Sequence, residues 1–279
     1  MATARADDAR GASDALGTPR YAETAPSPAL AAWVQCHWSV RGTAVDAFPS
    51  RILPDGCADV IVDLAATPYA FAVGPMRTAS VVAVVGRVDL FGVRFRPGAA
   101  AAFLDAPLDT LLDRDVPLDA LWGRLAAELE DALASVPPAD RVARAERILL
   151  ARLGRAATLA RESGTIDRAV ALMRRSRGRA GVRDVAAALG VGERWLERAF
   201  ARQIGYGPKT LARIVRLQHA VSLLQGGAAP SWTALAYDAG YADQAHLVRE
   251  FRALAGVTPG AYAAERRVGF VQYEGPPSA

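Results

Sequence analysis

One stretch of this chain is written twice, and the duplication dictates the architecture around it. Residues 190–208 (GVGERWLERAFARQIGYGP) and 240–259 (GYADQAHLVREFRALAGVTP) share a glycine, a Leu-x-Arg-x-Phe core, a second glycine and a proline. Gly190 answers Gly240 at an offset of 50, whereas Leu196, Arg198, Phe200, Gly205 and Pro208 answer Leu247, Arg249, Phe251, Gly256 and Pro259 at 51. The extra residue must sit in a turn, because one inserted into a helix would rotate its buried face by about 100°. Leu196 and Phe200, like Leu247 and Phe251, are four apart and stack on one helical face. A short apolar segment precedes each copy, 185–189 and 235–239, and ends at the glycine. Short helix, tight turn and amphipathic helix make a helix-turn-helix. Arg198 and Arg249 fall between the two core positions, off the buried face. The competing reading is a repeated helical hairpin that only packs.

Between the copies, residues 208–224 place Leu211, Ile214, Val215, Leu217, Val221 and Leu224 at helical spacing and stop at Gly226-Gly227. A helix of that length is a rod of about 25 Å. Successive major-groove faces on one side of B-DNA recur every ~34 Å, which a tilted rod and the width of two lobes can match. Charge agrees. From Thr165 onward there are 16 basic and 9 acidic residues, against 17 and 20 before it. The excess in the repeat-bearing half calls for a polyanionic partner. All basic residues except Lys209 are arginine, so arginine as such says little.

Other classes are disfavoured. Two cysteines, Cys36 and Cys57, form neither a disulfide framework nor a four-cysteine zinc site. His37, His219 and His246 are scattered without metal-ligand spacing, so no metal and no cofactor is expected. No apolar run approaches the ~18 residues of a membrane span and no signal-peptide core is present, so a cytoplasmic location is expected.

Residues 1–20 read as a disordered tail. Five β-like runs follow at 33–40, 58–64, 69–73, 80–85 and 88–95, punctuated by Pro54-Asp55-Gly56, Gly74-Pro75 and Gly86. With no helix-length segments between them, they predict an antiparallel sheet or small barrel. Helices are expected at 97–104, around 108–112, at 118–133 and at 139–159, the last two as a hairpin. That hairpin either caps the sheet or forms a dimerisation surface. Glu162-Ser163-Gly164 reads as a linker. The domains expected are therefore 21–160 and 165–265, with 266–279 as a tail.

Residues 165–265 resemble the AraC/XylS family of bacterial transcription regulators. The resemblance is carried by Arg194-Trp195-Leu196-Glu197-Arg198-Ala199-Phe200, by Ala239-Gly240-Tyr241-Ala242-Asp243-Gln244-Ala245-His246-Leu247-x-Arg249-x-Phe251, and by Gly256-Val257-Thr258-Pro259. It implies two helix-turn-helix subdomains joined by a long helix, with DNA contacts at Arg194, Trp195, Glu197 and Arg198 and at Gln244, Ala245, His246 and Arg249. The side chains suit that use: arginine grips guanine, glutamine pairs with adenine, glutamate accepts from cytosine, and a methyl meets the thymine methyl. Trp195 has packing against the preceding helix as its alternative, and Glu197 an ion pair with Arg194 or Arg198. Gly192 departs from the family's usual serine N-cap, a loss of a few tenths of a kcal/mol.

The β-rich half resembles the cupin-like sensor domains that precede such regulators. Residues 51–59 and 92–98 look like segments of an N-terminal domain found in one subgroup. Arg94 and Arg96 are candidates for binding an anionic effector, with Cys57 a further effector candidate. The alternatives are that the arginines pair with acids such as Asp63 and that Cys57 is a buried core residue, not a redox sensor. The fold class expected is α+β in two domains: an N-terminal antiparallel sheet or barrel with a helical appendage, then an all-α double helix-turn-helix. The partners expected are duplex DNA and a small-molecule effector, with RNA polymerase and a second copy of the chain as further candidates. The alternative, an alkylation-repair type enzyme fused to such a DNA-binding domain, needs more cysteines than two.

Overall fold

The computed structural model of the protein describes residues 19–153, 160–226 and 231–265; the expected tails and residues 154–159 of the expected 139–159 helix lie outside these, save Pro19 and Arg20. The N-terminal half is built on six strands: β1 (Arg20–Thr24), β2 (Val34–Ile52), β3 (Ala58–Asp63), β4 (Tyr69–Val73), β5 (Ser80–Phe95) and β6 (Asp115–Pro117). They pair antiparallel throughout, in the order β1-β2-β5-β3-β4-β6.

Two local expectations are overturned here. The runs at 80–85 and 88–95 form a single strand, because Gly86 pairs with Ala44 and the ladder resumes at Phe48 and Val84 after a register shift. For the same reason β2 runs on past residue 40, through Arg41-Gly42-Thr43 to Ile52. Long-range pairing supplies the hydrogen bonds that polar and glycine residues fail to signal locally. The edge strands β1 and β6 are short and escape sequence reading altogether.

One face of the sheet is covered by helices α1 (Ala100–Leu104), α2 (Asp119–Trp122), α3 (Arg124–Ala134) and α4 (Arg141–Leu153). Val60, Val62, Phe91, Val93 and Phe95 from the strands pack there with Phe103, Leu129, Leu133 and Leu149. The expected 118–133 helix is broken at Gly123 (φ 56°) into α2 and α3. The α3–α4 pair thus caps the sheet. A buried bidentate ion pair from Arg141 to Asp89 (2.6 and 3.0 Å) and a His37–Glu146 contact (3.1 Å) pin α4 to the strands.

The C-terminal half is wholly helical: α5 (Ala160–Arg175), α6 (Val182–Leu189), α7 (Glu193–Ile204), α8 (Pro208–Gln225), α9 (Trp232–Ala239), α10 (Gln244–Ala255) and α11 (Pro259–Glu265). Glu162-Ser163-Gly164, read as a linker, is helical within α5. Downstream, Ile166, Ala169, Val170 and Met173 bury one face of this helix, and that burial offsets the weak helix propensity of the glycine. Two separate cores follow. Val185, Leu196, Phe200, Leu211 and Ile214 close the first, and Leu217, Val221, Leu235, Leu247 and Phe251 the second. Helix α8 supplies its first half to one core and its second half to the other.

The two halves are packed together. Gln218 Nε2 donates to the Pro54 carbonyl (2.7 Å), Ala79 N to the Leu254 carbonyl (2.7 Å) and Arg51 Nη1 to the Ala255 carbonyl (3.0 Å). Arg51 also pairs with Glu265 at 2.9 Å, and Leu53 packs into the second helical core.

Candidate nucleic-acid interface and a cavity behind it

The two repeats build the same unit. Each opens with an eight-residue helix, α6 or α9, and ends in a twelve-residue helix, α7 or α10. The turns between differ as the offset requires, 190–192 in one copy and 240–243 in the other. Gly190 (φ 69°) and Gly240 (φ 89°) adopt the left-handed conformation that terminates the first helix, and Val191 N and Tyr241 N return to the carbonyls of Ala186 and Ala236. Leu196, Phe200, Leu247 and Phe251 are all fully buried.

This places the predicted contact residues. Arg194 and Arg198 on α7, and Gln244, Ala245 and Arg249 on α10, are exposed. Among the described residues, Arg194, Arg198 and Arg249 have no recorded ion pair or side-chain hydrogen bond. Trp195 is half-buried and packs against the first helical core, the packing role weighed for it. The Glu197 carboxylate lies over Gly207, which begins α8, where negative charge complements the helix N-terminus. His246 folds back over its own turn: its Nδ1 accepts from Ala242 N (3.3 Å), and its ring meets Tyr241 edge-on at 5.3 Å. A neutral imidazole in that arrangement carries its proton on Nε2. The caps differ as expected. Asp243 accepts from His246 N at 2.6 Å, whereas Gly192 offers α7 no side-chain cap.

Sequence reading missed four supporting residues: Glu250 with Arg213 and Arg216, and Arg179. Glu250, beside Arg249, turns inward and accepts from Arg213 of α8 (2.8 Å), with Arg216 at 4.0 Å. Burial alone would raise its carboxyl, but Arg213 and Arg216 hold it below the usual range. Arg179, in the basic run closing α5, donates to the carbonyls of Tyr237 and Asp238 at the end of α9 (3.1 and 2.8 Å). It thereby ties the first unit to the second while remaining exposed. The i, i+3 spacing of Arg213 and Arg216 on α8 was the available signal for the Glu250 site; nothing local signals Arg179.

On the sheet face opposite the helices lies a cavity of about 280 Å³. Ile61, Phe71, Val73, Val82, Val84 and Leu90 give it apolar walls. Both halves of β2 and β5 contribute, so the long ribbon folds over its own sheet past the register shift between Ala44 and Phe48. One part of the lining is polar. Asp59 faces Arg94 directly across the β3–β5 ladder, and its Oδ1 accepts from Arg94 Nε (3.2 Å) and Trp38 Nε1 (2.7 Å). The Trp38 indole lies flat on Gly92, where a Cβ would stand 2.0 Å from its ring. Of the three effector candidates, Arg94 and Cys57 line this cavity. Arg96 does not: it is exposed and donates to the Ala31 carbonyl at 2.8 Å. Arg94 pairs with Asp59 and Asp55, not Asp63, which closes its own turn at Ala65 N. Burial holds the Cys57 thiol well above the ordinary range, which disfavours a reactive thiolate.

The loop 53–57 stands between cavity and rod. Leu53, Asp55 and Cys57 line the cavity. On the other side, Pro54 receives Gln218, and Gly56 lies against Leu211 of α8. Among the described residues no group of three or more His, Cys, Asp or Glu is placed to hold a metal ion, and no helix is long and apolar enough to cross a membrane.

Residues 22–117 match a domain of unknown function (DUF6597), and residues 185–265 match a helix-turn-helix domain. No curated protein matches the chain. Among solved structures, a probable AraC family transcriptional regulator from Rhodopseudomonas palustris CGA009 is 30% identical, over 36% of this chain and 95% of that one, with a TM-score of 0.33. ToxT from Vibrio cholerae O395 is 12% identical over 81% and 96%, with a TM-score of 0.40. An unsaturated fatty acid bound ToxT from Vibrio cholerae strain SCE256 is 13% identical over 81% and 90%, at 0.35. These superpositions are too loose to carry an argument; the sequence identity across nearly the whole Rhodopseudomonas chain is not. Taken with the duplicated helix-turn-helix, it establishes that this chain belongs to the AraC family of DNA-binding transcriptional regulators.

Proposed function

We propose that α7 and α10 enter two successive major grooves on one face of duplex DNA, held at a fixed separation by α8. The observation that carries this is the sharing of α8 between both helical cores, which makes its 18 residues a stiff spacer of about 27 Å. Arg198 and Arg249 are the principal contacts, with Arg194, Gln244 and Ala245 beside them; an exposed guanidinium serves a guanine edge or a phosphate equally well. Trp195, Glu197 and His246 make contacts within the protein that set these helices and their turns, and they touch DNA from there. Selection of bound fragments from the organism's own genomic DNA tests the reading. It should enrich two short conserved blocks one helical turn apart, and enrichment without any shared motif would count against it.

We propose further that an effector in the cavity controls this binding through loop 53–57. The support is that one five-residue loop lines the cavity on one side and holds α8 on the other. Filling the cavity by Ile61→Trp should change operator affinity, although Ile61 lies far along the chain from either reading helix. An unaltered affinity in a chain of unaltered melting temperature would remove the coupling.

A further inference from the structure

The charges around the cavity restrict what can occupy it, given the reading of the cavity as an effector site. Among the described residues its lining holds three carboxylates, Asp55, Asp59 and Asp115, against a single guanidinium, Arg94. Arg94 is 5% exposed. Its Nε lies 3.2 Å from Asp59 Oδ1 and 3.8 Å from Asp55 Oδ2, so its charge is engaged on two sides. Asp59 is buried and already accepts from Trp38 and Arg94. Asp55 is different: its side chain is 23% exposed, its Oδ1 accepts from Cys57 N at 2.8 Å, and its Oδ2 reaches Arg94 only at long range.

Neighbouring elements do not reverse this balance. β1 brings Glu23, which accepts a hydrogen bond from the Tyr21 hydroxyl, and α5 brings the exposed Arg174. The turn before α8 brings Tyr206, whose buried hydroxyl has no recorded partner among the described residues. A carboxylate ligand would therefore meet an excess of negative charge in a low-dielectric site, where like charges repel strongly.

We propose that the cavity takes an apolar molecule ending in a cationic head, the head on Asp55 and the body against Ile61, Phe71, Val82 and Leu90. At about 280 Å³ the cavity is near the lower end of the ~300–1,000 Å³ range of small-ligand sites, so the occupant is small. This turns the site from an anion receptor, the use first considered for Arg94, into a receptor for hydrophobic amines. Arg94 serves to keep Asp59 and Asp55 in place.

The test is calorimetric titration of the full chain with three matched probes, 2-phenylethylamine, 2-phenylethanol and 3-phenylpropionate. The amine should bind about tenfold or more tighter than the other two, the size expected of one charge-assisted contact. Asp55→Asn keeps the acceptor for Cys57 N, so the turn is retained, and it should remove that preference while leaving the alcohol unchanged. Tighter binding of the acid, or an amine preference surviving Asp55→Asn, overturns the ligand class while the effector reading stands. Amine binding that survives Ile61→Trp places the amine elsewhere and overturns the assignment. Binding of none of the three overturns the effector reading of the cavity itself.

Discussion

Arg249 and Glu250 are neighbours on α10 with opposite environments, and the account assigns them opposite consequences when changed. Arg249 is exposed, with no recorded partner among the described residues. Its truncation to alanine, a better helix former, should leave stability within about 0.5 kcal/mol of the parent. If it reads a base, operator binding should weaken by about 1–3 kcal/mol, or roughly fivefold to beyond a hundredfold. If it holds a phosphate, the salt dependence of binding should also lose about one unit of slope. Glu250 instead accepts from Arg213 at 2.8 Å, with side chains 21% and 31% exposed. Its removal leaves two arginines of α8 facing each other without a counter-charge. Discounted for that exposure, the loss is about 1 kcal/mol of stability. Chemical denaturation and fluorescence anisotropy on a selected operator, at several salt concentrations, separate the two effects. The reasoning is refuted if Arg249→Ala loses less than twofold in affinity, or if it destabilises the protein as much as Glu250→Ala does.

Other consequences can be checked on the same protein. Gly192→Ser adds the missing N-cap to α7 at a backbone conformation (φ −79°, ψ 147°) that serine adopts freely; it should stabilise by a few tenths of a kcal/mol in urea unfolding, and a loss would contradict the cap assignment. Asp59→Ala removes the nearer counter-charge of buried Arg94, leaving Asp55 at 3.8 Å, and should cost about 1.5–3 kcal/mol, measured by the same unfolding; a loss under about 1 kcal/mol would show that Arg94 does not depend on Asp59. Burial lowers the His37 imidazole pKa despite the Glu146 contact, so the folded state takes up a proton less readily than the unfolded chain. Stability is then full above about pH 6.5 and falls as pH drops below it. His37→Gln should flatten that part of the unfolding profile, and an unchanged slope would locate the titration elsewhere.

What could be read from residues and what could not divides along physical lines. The paired helices and the turn that absorbs one extra residue were legible because both are local: Leu196/Phe200 and Leu247/Phe251 report a buried face by spacing alone. The long ribbon of β2 and β5 was not, since Gly86 and Arg41-Gly42-Thr43 carry the punctuation of turns while distant pairing keeps them in strands. The same holds for the cavity. Residues 51–59 and 92–98 could be singled out as segments, but only the ladder shows that Asp59 stands opposite Arg94 and Trp38 opposite Gly92. Arg179 reads as one more basic residue in a run, and only the meeting of two lobes turns it into a tie to the end of α9.

Hydroxyl-radical footprinting of a selected operator by the full chain shows whether the two reading helices on one stiff spacer engage DNA together. Two protected tracts are expected on one face of the duplex, centred about 10 base pairs apart, one weakened by Arg198→Ala and the other by Arg249→Ala. A single tract, or two tracts indifferent to both substitutions, would contradict that joint engagement.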